Sequence, residues 1–227
     1  MSGTLMENNV ASIAGKIVSI PVFSHEVYGE GFYSATVEVH RLSETYDIIP
    51  VMFSERLVSP DLVTEGLYAQ VEGQFRSYNN FNSTDGHKLM LTVFAREITL
   101  SEEEVEPKNP NQVILNGYVC RKPMYRTTPF GREISDILLA VNRAYNKSDY
   151  IPCIAWGRNA RFAGTFEVGD NIRIWGRIQS RTYQKRLSES EVEERVAYEV
   201  SISKMEVVKE DAAGERPEQD GAQAHNT

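Results

Sequence analysis

The sequence aligns with itself when it is shifted by about one hundred residues. A shift of 102 positions superposes Arg41 on Arg143 and Asp47 on Asp149, and a shift of 103 superposes Ser77 on Ser180. The same shifts also superpose three glycines of the first copy on three of the second: Gly15 on Gly117, Gly66 on Gly169 and Gly73 on Gly176. The offset rises after Gly15, which indicates small insertions. A repeat of this length has the size of a small domain rather than of a solenoid unit, so it predicts a duplicated domain.

Each copy has the pattern of short strands. In the second copy, apolar residues recur at alternate positions, and glycine or proline separates the segments. The predicted strands are Val113–Cys120, Ile134–Val141, Tyr150–Trp156, Asn171–Ser180 and Tyr198–Val208. The segment Gly157–Val168 has few β-branched residues and favours a short helix. Five strands with a helix after the third have the order of an OB-fold, a five-stranded Greek-key barrel. We therefore expect an all-β chain of two tandem OB-folds.

The repeat and the composition give the boundaries of the domains. We expect barrels at 9–100 and 111–208, an acidic linker at 101–110 and a disordered acidic tail at 209–227. The linker region Ser101–Asn111 holds four Glu and two Pro, which favour an extended and solvated segment. The tail has no apolar face, and its last six residues include neither phenylalanine nor aspartate.

Several classes of protein lack support in the sequence. There is no apolar run of about 18 residues, which argues against a membrane span, and no signal peptide is visible, so we expect a cytoplasmic protein. Cys120 and Cys153 lie in apolar runs and are expected to be reduced thiols. The four histidines are scattered, so we expect no metal site and no cofactor. Because no catalytic motif occurs, we expect that the chain is not an enzyme.

The charge is divided unevenly between the two copies. The chain has a net charge of -8, yet residues 117–186 hold 13 basic and 5 acidic side chains, a local net charge of +8. Residues 1–110 hold 7 basic and 16 acidic side chains, a net charge of -9. Binding responds to the local field, so the second copy is the candidate surface for a polyanion.

The second copy resembles the bacterial single-stranded DNA-binding protein family. The similar segments are Asn111-x-Val113-x-Leu115-x-Gly117, Arg126-x-Thr128-Pro129-x-Gly131, Leu139–Arg143, Asp149–Pro152, Ala155–Gly157 and Ile174–Arg181. The resemblance covers nearly all of 111–208 and is much weaker over 10–100. It implies a protein that binds single-stranded DNA without sequence preference in replication, recombination or repair.

The resemblance also implies the residues that stack on bases. These are Tyr145, Tyr150, Trp156 and Tyr183, all aromatic in this chain. Stacking on aromatic rings and cations along the strand together allow binding without sequence readout. The candidate cations are Arg121, Lys122, Arg126, Arg132, Arg143, Lys147, Arg158, Arg177, Arg181, Lys185 and Arg186. Trp156 could instead belong to the barrel core, Tyr150 could be an ordinary surface tyrosine, and Trp175 fits a core or interface position.

The first copy departs from this pattern. The matching positions are about Ser43, Ile48, Ser54 and Asn80, none of which is aromatic. We therefore expect a degenerate first OB-fold that serves packing or partner contact. Tyr78 and Phe81 are its remaining candidates for contact with a nucleic-acid strand. An alternative function is an accessory protein of a primosome or mobile element that acts through protein contacts. Single-stranded RNA remains open as a ligand, because nothing in the sequence reads the 2′-hydroxyl. Because the family is built around four OB-folds, the resemblance also implies a homodimer, with replication or repair proteins as further partners.

Overall fold

The computed structural model describes residues 8–41, 43, 45–80, 88–104, 107–186 and 192–208. Phe81 and the tail at 209–227, both named above, lie outside these residues. The first half of the chain forms strands β1 (Asn9–Ile17), β2 (Val22–Val27), β3 (Glu30–His40), β4 (Tyr46–Ser54), β5 (Tyr68–Asn80) and β6 (Lys88–Ser101), with a single 3-10 turn at Pro60–Leu62 between β4 and β5.

The second half repeats this order. Its elements are β7 (Asn111–Val119), β8 (Met124–Thr127), β9 (Glu133–Arg143), β10 (Lys147–Trp156), helix α1 (Arg158–Ala163), β11 (Asn171–Arg186) and β12 (Val192–Val207). The chain is therefore nearly all β in its described part. In the described residues each half has six strands rather than the expected five. The sequence did not predict the short β2 and β8, because they carry only exposed side chains and lack the alternation that marks a half-buried strand.

The pairing of the strands closes a ring in each half. In the first half β1 pairs with β3 and β5, β3 with β4, β4 with β6, and β6 with β5. The second half has the same ring through β7, β9, β10, β12 and β11. All pairs are antiparallel except β4–β6 and β10–β12. Each half is thus a five-stranded barrel, with β2 or β8 added as an edge strand.

Alternation along the strands fills the two barrels with apolar side chains. In β10, for example, Ile151, Cys153 and Ala155 are buried, whereas Tyr150 and Trp156 point outward. Phe53 and Phe75 are among the largest fully buried side chains of the first barrel, and Phe166 follows α1 in the second. We call the side chains of the barrel strands that point away from these cores the outward face.

One of the repeated glycine pairs, Gly15 and Gly117, lies where strands approach closely. A Cβ atom at Gly15 or Gly117 would lie 2.0 or 2.4 Å from the carbonyl oxygen of Glu38 or Ala140, at the point where β1 meets β3 and β7 meets β9. No side chain fits at such a distance, so these positions require glycine for the ring to close.

The two barrels are joined through their first strands. β1 and β7 pair antiparallel, with Ala11 opposite Val113, so the twelve strands form one continuous sheet. Ala11 and Val113 are themselves equivalent in the repeat, and the junction therefore has approximate two-fold symmetry. The side-chain amide of Asn9 donates to the backbone carbonyl oxygen of Phe75 and accepts from the Phe75 N–H, at 2.8 Å each. The side-chain amide of Asn111 makes the same two hydrogen bonds with the backbone of Ile178, at 2.7 and 2.9 Å.

Two further expectations concern membranes and metals. No helix of the described residues is long and apolar enough to cross a membrane. Within the same residues, no three His, Cys, Asp or Glu side chains are grouped so that they could hold a metal ion. Both cysteines are free thiols, with Cys153 buried and Cys120 partly buried.

Candidate nucleic-acid interface

Two of the predicted stacking residues share the outward face of β10. Tyr150 lies opposite Ala140 and Trp156 opposite Ile134 on β9. The side chains of Tyr150 and Trp156 are 49% and 39% exposed, although their neighbours along the strand are mostly buried. Trp156 is therefore not a core residue. Both rings are available to a ligand on the same side of the strand.

The third predicted residue lies at the tip of the β9–β10 hairpin. Tyr145 is 94% exposed. It and Asn146 have positive φ angles of 61° and 54°, which turn the chain tightly between Arg143 and Lys147. This backbone is uncommon for a residue other than glycine. The turn projects the ring into solvent, with the exposed Lys147 two residues away.

The fourth predicted residue lies on β11 among cations. Arg177, Arg181, Tyr183 and Lys185 occupy alternate outward positions of this strand. The guanidinium of Arg181 lies 5.6 Å from the ring centroid of Tyr183, within the range of a cation–π contact. Arg181 also lies 3.6 Å from Glu199 of the neighbouring β12. The register places this row on the same outward face as β10, because Ser201 lies opposite both Arg177 and Ile154.

The remaining predicted cations surround this face with different degrees of engagement. Lys122 forms an ion pair with Glu167, and Arg126 lies 3.0 Å from Asp136. Four others are exposed and form no ion pair with another described residue: Arg121, Arg132, Lys147 and Arg158. These four are the cations with the most freedom to contact a phosphate.

Arg143 and Arg177 occupy the seam between the two barrels. Arg143 lies 3.3 Å from Asp149, whose side chain is fully buried, and Arg177 lies 3.5 Å from the equally buried Asp47. Asp149 accepts a hydrogen bond of 2.7 Å from the backbone N–H of Ser77 in the other barrel. Asp47 accepts the equivalent bond, also 2.7 Å, from Ser180. Arg177 thus lies near a carboxylate of the other barrel, and the carboxylate near Arg143 accepts a hydrogen bond from the other barrel.

The two buried carboxylates differ in their pKa. Burial alone would raise the pKa of Asp47, but hydrogen bonds from Arg41 and Ser180 outweigh it and hold the pKa below its usual value. Arg41 donates two bonds to Asp47, at 2.7 and 2.5 Å. Burial raises the pKa of Asp149, because the Ser77 N–H and the more distant Arg143 only partly offset it.

Sequence reasoning missed the seam. The residues that build it, Arg41, Asp47 and Ser77 with their counterparts in the second copy, are the polar residues that matched in the repeat. That match was the signal for a contact between the copies. Arg76 was also missed. Burial and the nearby Arg143 lower the pKa of Arg76 to about 10, and its guanidinium lies 3.9 Å from the ring centroid of Phe94.

The comparisons with known proteins agree on one family. Residues 110–208 match the model of the single-strand binding protein family. The chain is 35% identical over 81 residues to single-stranded DNA-binding protein 2 of Listeria innocua, covering 33% of this chain and 51% of that protein. It is 32% identical over 81 residues to single-stranded DNA-binding protein B of Bacillus subtilis, covering 33% of this chain and 72% of that protein.

A solved structure resembles both halves together. The wild-type single-stranded DNA binding protein from Thermus aquaticus superposes with a TM-score of 0.72 at 20% identity, over 92% of this chain and 96% of that chain. At this identity the likeness concerns the fold. The chain spans about half the length of most of the curated relatives it matches. On the family model and these relatives, the chain belongs to the single-strand binding protein family.

Proposed function

We propose that the chain binds single-stranded DNA without sequence preference and protects it during replication, recombination or repair. The action is binding rather than catalysis, and the protein acts on DNA in the bacterial cytoplasm. The family and the names of the curated relatives support this proposal. No observation favours the alternative role as an accessory protein that acts through protein contacts.

The architecture that carries this function is a pair of OB-folds. Each barrel has the ring of five strands that the OB-fold requires, and α1 follows β10, the third strand of its ring. We assign the barrels to 9–100 and 111–208, with the linker at 101–110 between them. The likeness to the Thermus aquaticus protein over both halves supports the tandem arrangement.

The outward face of the second barrel is the proposed binding surface. Tyr145, Tyr150, Trp156 and Tyr183 stack on bases, and the cations around them contact phosphates. The observation that carries the proposal is the exposure of Tyr150 and Trp156 on the same side of β10, with β12 between them and the basic row of β11. Exposed rings beside cations form a stacking platform with an electrostatic path for the backbone.

Titration of labelled oligo-dT at several salt concentrations tests this proposal. Affinity should fall steeply with salt, with a slope of about -0.7 in log–log form for each neutralised phosphate. Lys147→Gln should make the slope shallower by about that amount. Lys16→Gln removes an exposed charge from the first barrel and should leave the slope unchanged. Affinity that does not vary with salt would contradict the proposal.

We also propose that two chains associate, so that four barrels act together. β2 and β8 are edge strands at opposite ends of the sheet, and edge strands of this kind can pair with another chain. Light scattering decides this point. A mass of twice the 25.7 kDa of one chain is expected, and a mass of one chain at all concentrations would exclude the dimer.

A further inference from the structure

A cleft opens between the two barrels beside the end of the linker. Its volume is about 680 Å³, which is within the range of small-molecule sites. The first barrel contributes Arg41 and Ser43, the linker contributes Lys108 and Asn109, and the second barrel contributes Trp175 and Arg177 among others. The cleft is therefore built by three separate parts of the chain.

The described residues that line this cleft include cations but no carboxylate. Arg41, Arg177 and Lys108 face it, although the whole chain has 32 acidic residues and a net charge of -8. His40 also lines the cleft, where its ring nitrogen lies 3.1 Å from Glu38. The cleft is thus a local region of positive charge in an acidic protein, which is the electrostatic environment that an anion requires.

One buried carboxylate behind the cleft has two arginine partners. Asp47 forms its short bidentate contact with Arg41, at 2.5 and 2.7 Å, whereas Arg177 lies farther away at 3.5 Å. A single carboxylate neutralises only one guanidinium. The Nη1 atom of Arg177 is the atom that lies 3.5 Å from Asp47, and it is buried with no hydrogen-bond partner among the described residues. Two guanidinium groups beside one carboxylate leave a net positive charge at this wall of the cleft, and an anion in the cleft would offset it.

The other groups of the cleft suit a nucleotide rather than a bare anion. Trp175 supplies an aromatic wall, with the ammonium of Lys204 held 4.1 Å from its ring centroid. Asn109 and Gln112 supply amide groups. We infer that the cleft binds the phosphate of a nucleotide through Arg177, Arg41 and Lys108, next to Trp175. The planar guanidinium groups match the geometry of a phosphate.

The phosphate can come from a DNA strand or from a free nucleotide. Arg177 begins the outward row of β11 that continues with Arg181, Tyr183 and Lys185. A strand that follows this row reaches the cleft at Arg177, and in this form the inference rests on the proposed function. A free nucleotide in the cleft does not depend on the proposed function. The experiment therefore uses both ligands.

The two tryptophans allow the cleft to be observed separately. The Trp156→Phe variant retains Trp175 as its single tryptophan, and its fluorescence reports on the cleft. In this background we compare Arg177→Gln and Lys108→Gln with the control Arg173→Gln. Arg173 is an exposed arginine of the same strand that does not line the cleft. Each protein is titrated with thymidine monophosphate and with oligo-dT after its thermal unfolding is checked. Lys108 lies exposed on the linker, so its variant serves if Arg177→Gln does not fold.

The expected result is a change in Trp175 emission on ligand addition and a loss of affinity of roughly ten-fold in Arg177→Gln, with a smaller loss in Lys108→Gln and none in Arg173→Gln. A loss of affinity for oligo-dT alone identifies a strand phosphate as the ligand of the cleft. A loss of affinity for thymidine monophosphate identifies a free nucleotide. If neither ligand changes Trp175 emission, or if the cleft variants and Arg173→Gln behave alike, the inference is wrong. Failure of the native chain to bind oligo-dT would contradict the proposed function, while the monophosphate titration still tests the cleft.

Discussion

The two barrels follow the same path but differ at an equivalent cross-strand pair of their outward faces. In the second barrel Trp156 on β10 lies opposite Ile134 on β9. In the first barrel the equivalent pair is Ser54 opposite Phe32. The aromatic ring has thus moved to the other member of the cross-strand pair. The first-barrel positions aligned with the predicted stacking residues therefore hold no aromatic residue, although other positions of its outward face do.

The new position changes what the rings contact. His25 stacks on Phe32 with centroids 5.0 Å apart, and Phe32 lies 5.8 Å from Phe94, whose ring the Arg76 guanidinium also covers. The rings of His25, Phe32 and Phe94 are thus engaged with one another. In the described part of the chain, Tyr150 and Trp156 contact no other aromatic ring and remain exposed. The rings around Phe32 therefore pack on each other, whereas the exposed Tyr150 and Trp156 are the stacking residues that we propose for the second barrel.

The largest expected effect separates the two seam carboxylates. Asp47→Asn removes the bidentate partner of Arg41 and should lower the free energy of unfolding by about 3 kcal/mol, because breaking a buried ion pair leaves an uncompensated charge. Asp149→Asn should cost less, since Asp149 has the more distant arginine and an amide oxygen can still accept the Ser77 N–H. Urea unfolding measures both. Equal losses would show that the two halves of the seam are equivalent.

The next effect separates the aromatic rings by ligand binding. Trp156→Ala and Tyr150→Ala should each weaken oligo-dT binding by roughly 1–3 kcal/mol, the value of one stacked base. The equivalent changes Ser54→Ala and Ile48→Ala should leave the affinity nearly unchanged. Fluorescence anisotropy of labelled oligo-dT provides the measurement. Equal losses from both barrels would contradict the division of roles.

A smaller effect concerns the packed rings of the first barrel. Phe32→Ala should lower the free energy of unfolding by roughly 1 kcal/mol through its contacts with His25 and Phe94. Oligo-dT affinity should not change, because these rings pack on each other. Urea unfolding and anisotropy are measured on the same preparation. A loss of affinity without a loss of stability would assign the first barrel a binding role.

The smallest effect is the pH dependence of the seam. The pKa of Asp47 is lowered in the fold, so its contribution to stability is present above its unfolded pKa, about 4, and is lost as the pH falls through the folded value. The pKa of Asp149 is raised, so stability rises as the pH falls through the folded value toward the unfolded one. Compared with the native chain, Asp47→Asn should weaken the loss of stability in acid, and Asp149→Asn should strengthen it. Unfolding curves through this pH range test the two signs, and variants that shift in the same direction would contradict them.

The sequence predicted the features that depend on local pattern. Period-2 alternation predicted the strand Tyr150–Trp156, and the repeat predicted two similar domains. It did not predict β2 and β8, whose exposed residues do not alternate. It also grouped Arg143 and Arg177 with the surface cations. Their buried partners become visible only when the barrels meet, because Ser180 and Asp47 are 133 residues apart in the chain.

The continuous sheet through β1 and β7 joins two different barrels within one polypeptide. A linker of this length holds the barrels at an effective concentration on the order of millimolar, so the seam forms at any dilution. In a symmetric dimer every substitution would appear twice, once on each side of the two-fold axis. In this chain a residue of one barrel can change while the equivalent residue of the other barrel is retained. The tethering therefore allows Asp47 and Asp149 to differ in pKa at equivalent places, and the second barrel to keep Tyr150 and Trp156 where the first has Ile48 and Ser54.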